Sequence, residues 1–285
     1  MEIRKQKKEF KVAPLPFQGQ KRNFVAPFRE ALTDLKGKVT VIVDLFGGSG
    51  LLSHTAKQVF PECKVIYNDY DDFHLRLLNI DNTNNLLSDI RAILSGYPKE
   101  KRINEPLRGL IFERIEREAR TDYVDYITLS SSLLFSANYV TSFEELKTAT
   151  LFNKIKKCNY DIDATLYLAG LDIVKCDYLE LFNQYKDVSD VLFIVDPPYL
   201  TTDCKTYQSD KYWKLKDYLN VLNVLTKDKY IYFTSNKSNL VELCEWFTDN
   251  YNLDNPFTGA TLKTHNVSLN KQARYVDMMF YKFAA

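Results

Sequence analysis

The strongest constraint on this chain is a repeating alternation of short apolar runs, loops and helix-patterned segments. VTVIVDLFGGSGLLSHTAKQ (39–58) begins with a β-branched run, turns at glycines and continues with helical periodicity. KVIYNDYDDFHLRLL (64–78) repeats that grammar, and LDIVKCDYLELF (171–182) and VLFIVDPPY (191–199) add a third and a fourth strand. YIYFTSN (230–236) and RYVDMMFYKF (274–283) read as later strands, with helices over 215–227 and 239–251 between them. Strands alternating with helices predict an α/β fold around a mostly parallel sheet covered on both faces, with ligands bound at the carboxyl ends of the strands. The loops FGGSG, NDYDD and DPPY all fall at such ends.

Between the second and third strands the rhythm stops, because residues 85–168 show mixed helical and turn-like sequence without a βα repeat. The expected organisation is therefore 1–84 as the first half of the main domain, 85–168 as an inserted, mainly helical subdomain, and 169–285 as the second half. A chain of 285 residues with 45% hydrophobic and 26% charged content suits one large folded domain carrying such an insertion. No window is apolar over the ~18 residues that a membrane span needs, and the start MEIRKQKKEF lacks a signal-peptide core. These features predict a soluble, cytoplasmic protein without a membrane partner. Five scattered cysteines form no close pair of the kind used by metal sites or disulfide frameworks, so reduced thiols and no metal are expected.

The net charge of +1 excludes a uniformly basic surface but not a local basic face. Within the first thirty residues, Arg4, Lys5, Lys7, Lys8, Lys11, Lys21, Arg22 and Arg29 outnumber Glu2, Glu9 and Glu30. Such a stretch is either a solvated tail or a phosphate-contacting one.

Asp44-Leu45-Phe46-Gly47-Gly48-Ser49-Gly50 follows a strand and opens a helix, where glycines let backbone approach a ligand. It is a cofactor cradle or a tight strand-to-helix turn. A nicotinamide fingerprint would put glycine at 48, 50 and 53, and position 53 is Ser53. Asp69, ahead of Tyr70, is placed to accept hydrogen bonds from ribose hydroxyls or to cap the next helix. Asp177, ahead of Tyr178, is likewise a helix cap or an acceptor for an exocyclic amino group.

DPPY narrows these choices. Pro197 and Pro198 have fixed φ and no N–H, so they stiffen the turn, but stiffness does not explain why Asp196 and Tyr199 bracket them. An amino group on a planar base needs two acceptors and a flat partner. The Asp196 carboxylate, the Pro197 carbonyl and the Tyr199 ring supply this set and would turn the nitrogen lone pair toward an electrophilic methyl group.

DPPY after FGGSG is the motif pair of amino-methylating S-adenosylmethionine-dependent methyltransferases, and the chain resembles the Dam-like DNA adenine N6-methyltransferases. Phe17-Gln18-Gly19-Gln20-Lys21 stands where that family has an aromatic, a small-residue turn and a lysine bordering the methionine moiety, although Gln18 and Gln20 replace small residues. Phe233-Thr234-Ser235-Asn236 stands where it has a polar strand end beside the target base.

The resemblance implies a Rossmann-like methyltransferase sheet, S-adenosylmethionine as donor, and double-stranded DNA bound by a monomer or weak dimer. It implies catalysis by Asp196, Pro197, Pro198 and Tyr199. The donor would be held by Phe17, Lys21, Asp44, Phe46, Gly47, Gly48, Ser49, Gly50, Asp69, Tyr70, Asp177, Tyr178 and Asp196. Residues 85–168 would read the target, with Arg108, Arg117, Arg120 and Asn138 as candidate base contacts and Lys5, Lys7 and Lys8 adding phosphate affinity. The alternatives are an RNA adenine methyltransferase, a protein glutamine methyltransferase, for which Asp196 would usually be Asn, and a catalytically silent DNA-binding module of the same fold.

Overall fold

A strand buried on both faces must alternate its side chains between two separate cores, and β4 (Val191–Val195) does so. Leu192 and Ile194 enter one hydrophobic cluster with Phe28, Leu32, Ile42 and Leu52. Phe193 and Val195 enter the other with Val43, Ile66, Val221 and Tyr232. The run VLFIV is continuously apolar for that reason.

The computed structural model describes residues 9–135, 138–199, 213–227, 229–268 and 274–283. Two units divide the chain: residues 21–71 with 170–285, and 1–20 with 72–169.

The first of these holds a seven-stranded sheet of β1 (Val41–Asp44), β2 (Lys64–Asn68), β3 (Asp172–Val174), β4, β5 (Lys229–Ser235), β6 (Thr261–Ser268) and β7 (Arg274–Phe283). Their order is β3-β2-β1-β4-β5-β7-β6, with the first five parallel and β7 antiparallel to both β5 and β6. This is the expected Rossmann-like arrangement. Chain order reverses at the β1/β4 pair, where Asp44 is level with Ile194. The crevice for ligands in such a sheet opens at that switch point, so the glycine loop after β1 and DPPY after β4 are neighbours by topology.

Two expectations need correction. Residues 261–268 form β6, an edge strand with no place in the sequence reading. Its sequence TLKTHNVS lacks a continuous apolar run, and Thr261, Leu262, Thr264 and Asn266 are exposed. The helix over 215–227 ends as α at Leu222 and continues as a 3₁₀ turn, Val224–Thr226.

The other unit is mainly helical, containing Phe73–Leu78, Ile80–Ile93, Leu107–Ala119, Tyr126–Leu133 and Phe143–Thr148. It has its own core of Leu86, Ile90, Ile111, Ile115, Leu129, Leu133 and Leu146. By contacts it begins at Asp72 rather than 85, and it includes the stretch up to Gln20. Within it Arg76 is buried, donating to Asp125 Oδ2 at 3.0 Å and to the Pro16 carbonyl at 2.7 Å, so the early segment is tied to these helices. Among the described residues no helix is long and apolar enough to cross a membrane.

Candidate active site

The glycine loop is shaped by the strand beside it. A Cβ on Gly47 would lie 2.3 Å from the Tyr67 ring and 2.8 Å from the Asn68 carbonyl oxygen, so only glycine fits against β2 there. Gly50 takes φ +70 at the start of the helix Leu51–Val59, a left-handed conformation that glycine adopts without strain. Asn68 fastens the strand ends together: its Nδ2 donates to the Leu45 and Cys176 carbonyls at 3.0 Å each, and its Oδ1 accepts from Cys176 N at 3.1 Å.

Asp44 ends β1 with no solvent exposure. Its Oδ2 accepts a 2.6 Å hydrogen bond from Ser53, while Oδ1 is buried without a hydrogen-bond partner. Burial pushes its pKa up to about 7; Ser53 opposes that rise and the Asp196 charge adds to it. Ser53, which displaces a glycine of the nicotinamide pattern, thus has a positive role in holding this acid.

The Tyr67 hydroxyl lies 2.7 Å from the Gly48 carbonyl and 2.9 Å from Asp69 Oδ1. Its single proton is shared between loop and acid. Asp69 is buried, its N–H bonds the Val174 carbonyl, and it caps no helix: the residue ahead of Phe73–Leu78 is Asp72. Tyr70 is exposed. Asp177 does what its cap reading predicts, accepting from Leu179 N at 2.8 Å at the start of the helix Tyr178–Tyr185. The Tyr178 ring lies 4.9 Å from that of Phe46 and 5.5 Å from that of Trp213, forming an aromatic group at this sheet edge.

At DPPY, Lys21 is buried and its ammonium lies 2.6 Å from Asp196 Oδ2. The Asp196 side chain is 15% exposed, yet its Oδ1 is buried with no hydrogen-bond partner. Burial raises the pKa of Asp196, Lys21 counters through charge and hydrogen bond, and Asp277 raises it further. The Lys21 ammonium is 5.2 Å from the Tyr199 ring centroid and 5.9 Å from that of Phe233. Asn236 exchanges backbone and side-chain hydrogen bonds with Val276, closing the β5–β7 pair beside the buried Thr234 and Ser235.

Lys21, Asp44, Phe46, the glycine loop, Asp69, Tyr70, Asp177, Tyr178 and DPPY thus belong to one unit, whereas Phe17 belongs to the other, its ring edge-on to Phe73 at 5.8 Å. Sequence reasoning did not single out Asn68 or Asp277, and it used Ser53 only as evidence against a nicotinamide cofactor. A polar residue at the end of the run KVIY was the one available signal for Asn68. Asp277 had none.

Of the candidate base contacts, Arg108 stacks on Phe112 at 4.5 Å and donates to the Lys147 carbonyl at 2.6 Å. Arg120 pairs with Glu116 at 3.5 Å, while Arg117 and Asn138 are exposed. Lys5, Lys7 and Lys8 lie outside the described residues. No group of three His, Cys, Asp or Glu among the described residues is arranged to hold a metal.

Residues 17–256 match the family described as D12 class N6 adenine-specific DNA methyltransferase. A protein of Haemophilus influenzae (strain ATCC 51907 / DSM 11121 / KW20 / Rd) named "Putative methyltransferase" is 38% identical over 285 residues, covering 97% of this chain and 94% of its own length. The family match spans the glycine loop, Asp69 and DPPY on the parallel strands as well as the helical insertion, and the chain therefore belongs to the D12 class of N6 adenine-specific DNA methyltransferases.

Proposed function

We propose that the enzyme takes its methyl group from S-adenosylmethionine and transfers it to an adenine flipped out of duplex DNA, with Asp196, the Pro197 carbonyl and Tyr199 holding the base. The adenine amino group is unreachable for this chemistry inside the base stack, which makes extrusion necessary. When bound, the donor supplies an electrophilic methyl group on a sulfonium centre.

A cationic donor fits the residues at this edge. Asp44 and Asp196 each keep one buried carboxylate oxygen without a hydrogen-bond partner, and both have pKa values raised by burial, which a nearby positive charge would relieve. Asp44, the loop from Phe46 to Gly50, Asp69, Tyr70, Asp177, Tyr178 and Lys21 would hold it.

The state of Asp196 carries the reading. Lys21 fixes Oδ2, so the carboxylate cannot rotate freely, and Oδ1 is left as an oriented acceptor. An adenine amino group donating one N–H to Oδ1 and the other to the Pro197 carbonyl presents its lone pair out of the ring plane. The carboxylate also stabilises positive charge developing on that nitrogen. Lys21 lies against the Tyr199 ring by cation–π contact, and the ring is available to stack on the base.

The helical unit, containing residues 85–168, chooses the target sequence. Arg117 and Asn138 are its exposed candidates for base contact. A DNA substrate is consistent with action in the cytoplasm.

The deciding measurement is methyl transfer by Asp196→Ala. Loss of nearly all turnover on duplex DNA is expected, with melting behaviour retained, because the carboxylate orients a nucleophile and packs no core. A variant keeping more than about a tenth of wild-type turnover, a loss under about 1.4 kcal/mol, refutes the clamp. Supplying RNA in the same assay separates the two nucleic acids, and a wild-type protein inert on both would be a silent module.

A further inference from the structure

Two basic stretches of the helical unit, Lys99-Glu100-Lys101-Arg102 and Lys154-Ile155-Lys156-Lys157, stand far apart in the chain, and the site described above uses neither. The fold brings them side by side. Ile103 N donates to the Leu151 carbonyl at 2.8 Å and Asn153 N to the Lys101 carbonyl at 3.0 Å, an antiparallel pairing centred on Arg102 and Phe152. Phe152 N and Lys154 N point the other way and donate to the Leu133 and Ser132 carbonyls at 2.7 and 3.2 Å. Extended backbone turns successive side chains to opposite faces. Leu151, Asn153 and Ile155 are accordingly buried, while Phe152, Lys154 and Lys156 come to the outer face, and Arg102 shares it because it stands opposite Phe152.

Aromatic rings hold two of these cations in place. Phe152 packs edge-on to Phe135 at 4.4 Å, the Lys154 ammonium stands 4.9 Å from the Phe135 centroid, and the Lys156 ammonium stands 5.5 Å from that of Tyr160. Tyr160 is fixed in turn, since Asn84 bonds its N–H at 2.8 Å and its carbonyl at 2.9 Å. Among the described residues Arg102, Lys154 and Lys156 make no ion pair, and Glu100 is the one acid in the two stretches. Unneutralised like charges repel one another, and a polyanion relieves that repulsion. Point charges fanned along an extended segment suit phosphate oxygens whatever the base sequence. Asn138, an exposed candidate for base contact, donates its N–H to the Phe135 carbonyl at 3.4 Å and so adjoins this face.

Resting on the reading above of duplex DNA as the substrate, we propose that Arg102, Lys154 and Lys156 form a sequence-independent grip on the phosphate backbone of the duplex. Phosphate contacts set the register of a protein on DNA, and base contacts then read it. The grip sets the register in which Asn138 meets base edges.

The test compares wild type with the triple variant Arg102→Gln, Lys154→Gln, Lys156→Gln by fluorescence anisotropy, on labelled duplexes of unrelated sequence between about 50 and about 200 mM salt. The slope of log affinity against log salt is expected to become shallower by about 2 to 3, and affinity at about 0.1 M salt to fall about tenfold to a hundredfold, alike on every duplex. Arg102→Lys, Lys154→Arg and Lys156→Arg together keep the charges and are expected to keep the slope. Glutamine at the exposed Lys36, Lys38 and Lys216 removes the same charge elsewhere and is expected to change the slope by less than about 1. If the first variant loses its melting transition, Lys156→Gln with Lys157→Gln, at exposed positions beyond the pairing, repeats the comparison with an expected change of about 1 to 2. An unchanged slope, a loss confined to some duplexes, or an equal loss in the Lys36, Lys38 and Lys216 variant overturns the proposal. A wild type that binds no duplex overturns the substrate reading and this proposal with it. A steep salt dependence in wild type beside an unchanged variant overturns this proposal alone.

Discussion

Raising the pH from about 6 to about 8 should tighten donor binding about tenfold, through the ionisation of Asp44. This acid is fully buried, with a pKa pushed up to about 7 chiefly by burial. At about pH 6 roughly one molecule in eleven has it ionised, and at about pH 8 roughly ten in eleven. If the ionised form is what meets the amino-acid ammonium of the donor, apparent affinity follows that fraction, a change worth about 1.4 kcal/mol. Linkage gives a matching effect on the free protein. The folded pKa lies above the ordinary 3.8, so the folded state holds the proton more tightly than the unfolded state does between those values. The contribution of Asp44 to stability is thus complete below about pH 4, is lost as pH rises to about 7, and is flat beyond, a total of about 4 kcal/mol. Donor binding should recover part of that loss. Ser53→Ala removes the 2.6 Å hydrogen bond that opposes the shift and should move the midpoint of the binding profile upward by about one pH unit or more. The assay is calorimetric titration with S-adenosylhomocysteine, whose amino-acid ammonium stays protonated across this range, with Asp44→Asn as control. A wild-type profile that is flat between about pH 6 and pH 8, or one that persists unchanged in Asp44→Asn, would refute the argument.

Asp69→Ala should weaken S-adenosylhomocysteine binding while leaving the methylation rate of the saturated enzyme nearly unchanged, because a ribose contact acts equally in ground and transition states. An unaltered dissociation constant would reduce Asp69 to the partner of Tyr67. Exchanging the helical insertion for that of a relative with a different target should move the methylated adenines to the new sequence. The exchange is better cut at 72–169, where the contacts divide, than at 85–168. An active hybrid that kept the original target would show that another part of the chain reads the bases.

Tyr199→Ala should cost about 1–3 kcal/mol in engagement of the flipped base, whereas Tyr199→Phe keeps the stacking ring and should be milder. Single-turnover rates of the two variants check this, and equal losses would remove the stacking role.

The class of fold and the loops that carry the candidate site were legible from the residues alone. Both follow from local causes: β-branched runs buried on two faces, glycines at backbone turns and prolines after a strand leave their marks on adjacent residues. Asp44, Asp69 and Asp196 were legible because each closes a strand, and strand ends are where such sheets bind ligands. The edge strand β6 was not legible, since with one neighbour and exposed side chains its residues carry no apolar pattern. Asp69 and Asp177 each read as a helix cap or as a ligand acceptor, for ribose hydroxyls at Asp69 and for an exocyclic amino group at Asp177, and only the structure assigned the helix cap to Asp177 and a Tyr67 hydrogen bond to Asp69. Likewise, Lys21 comes to Asp196 from far along the chain, and Asp277 reaches the same charge cluster because β7 is reversed, so that its first residues rather than its last lie at the carboxyl edge. Charge and hydrogen-bond partners brought together across so much chain depend on strand order and direction, and no short stretch of sequence records those.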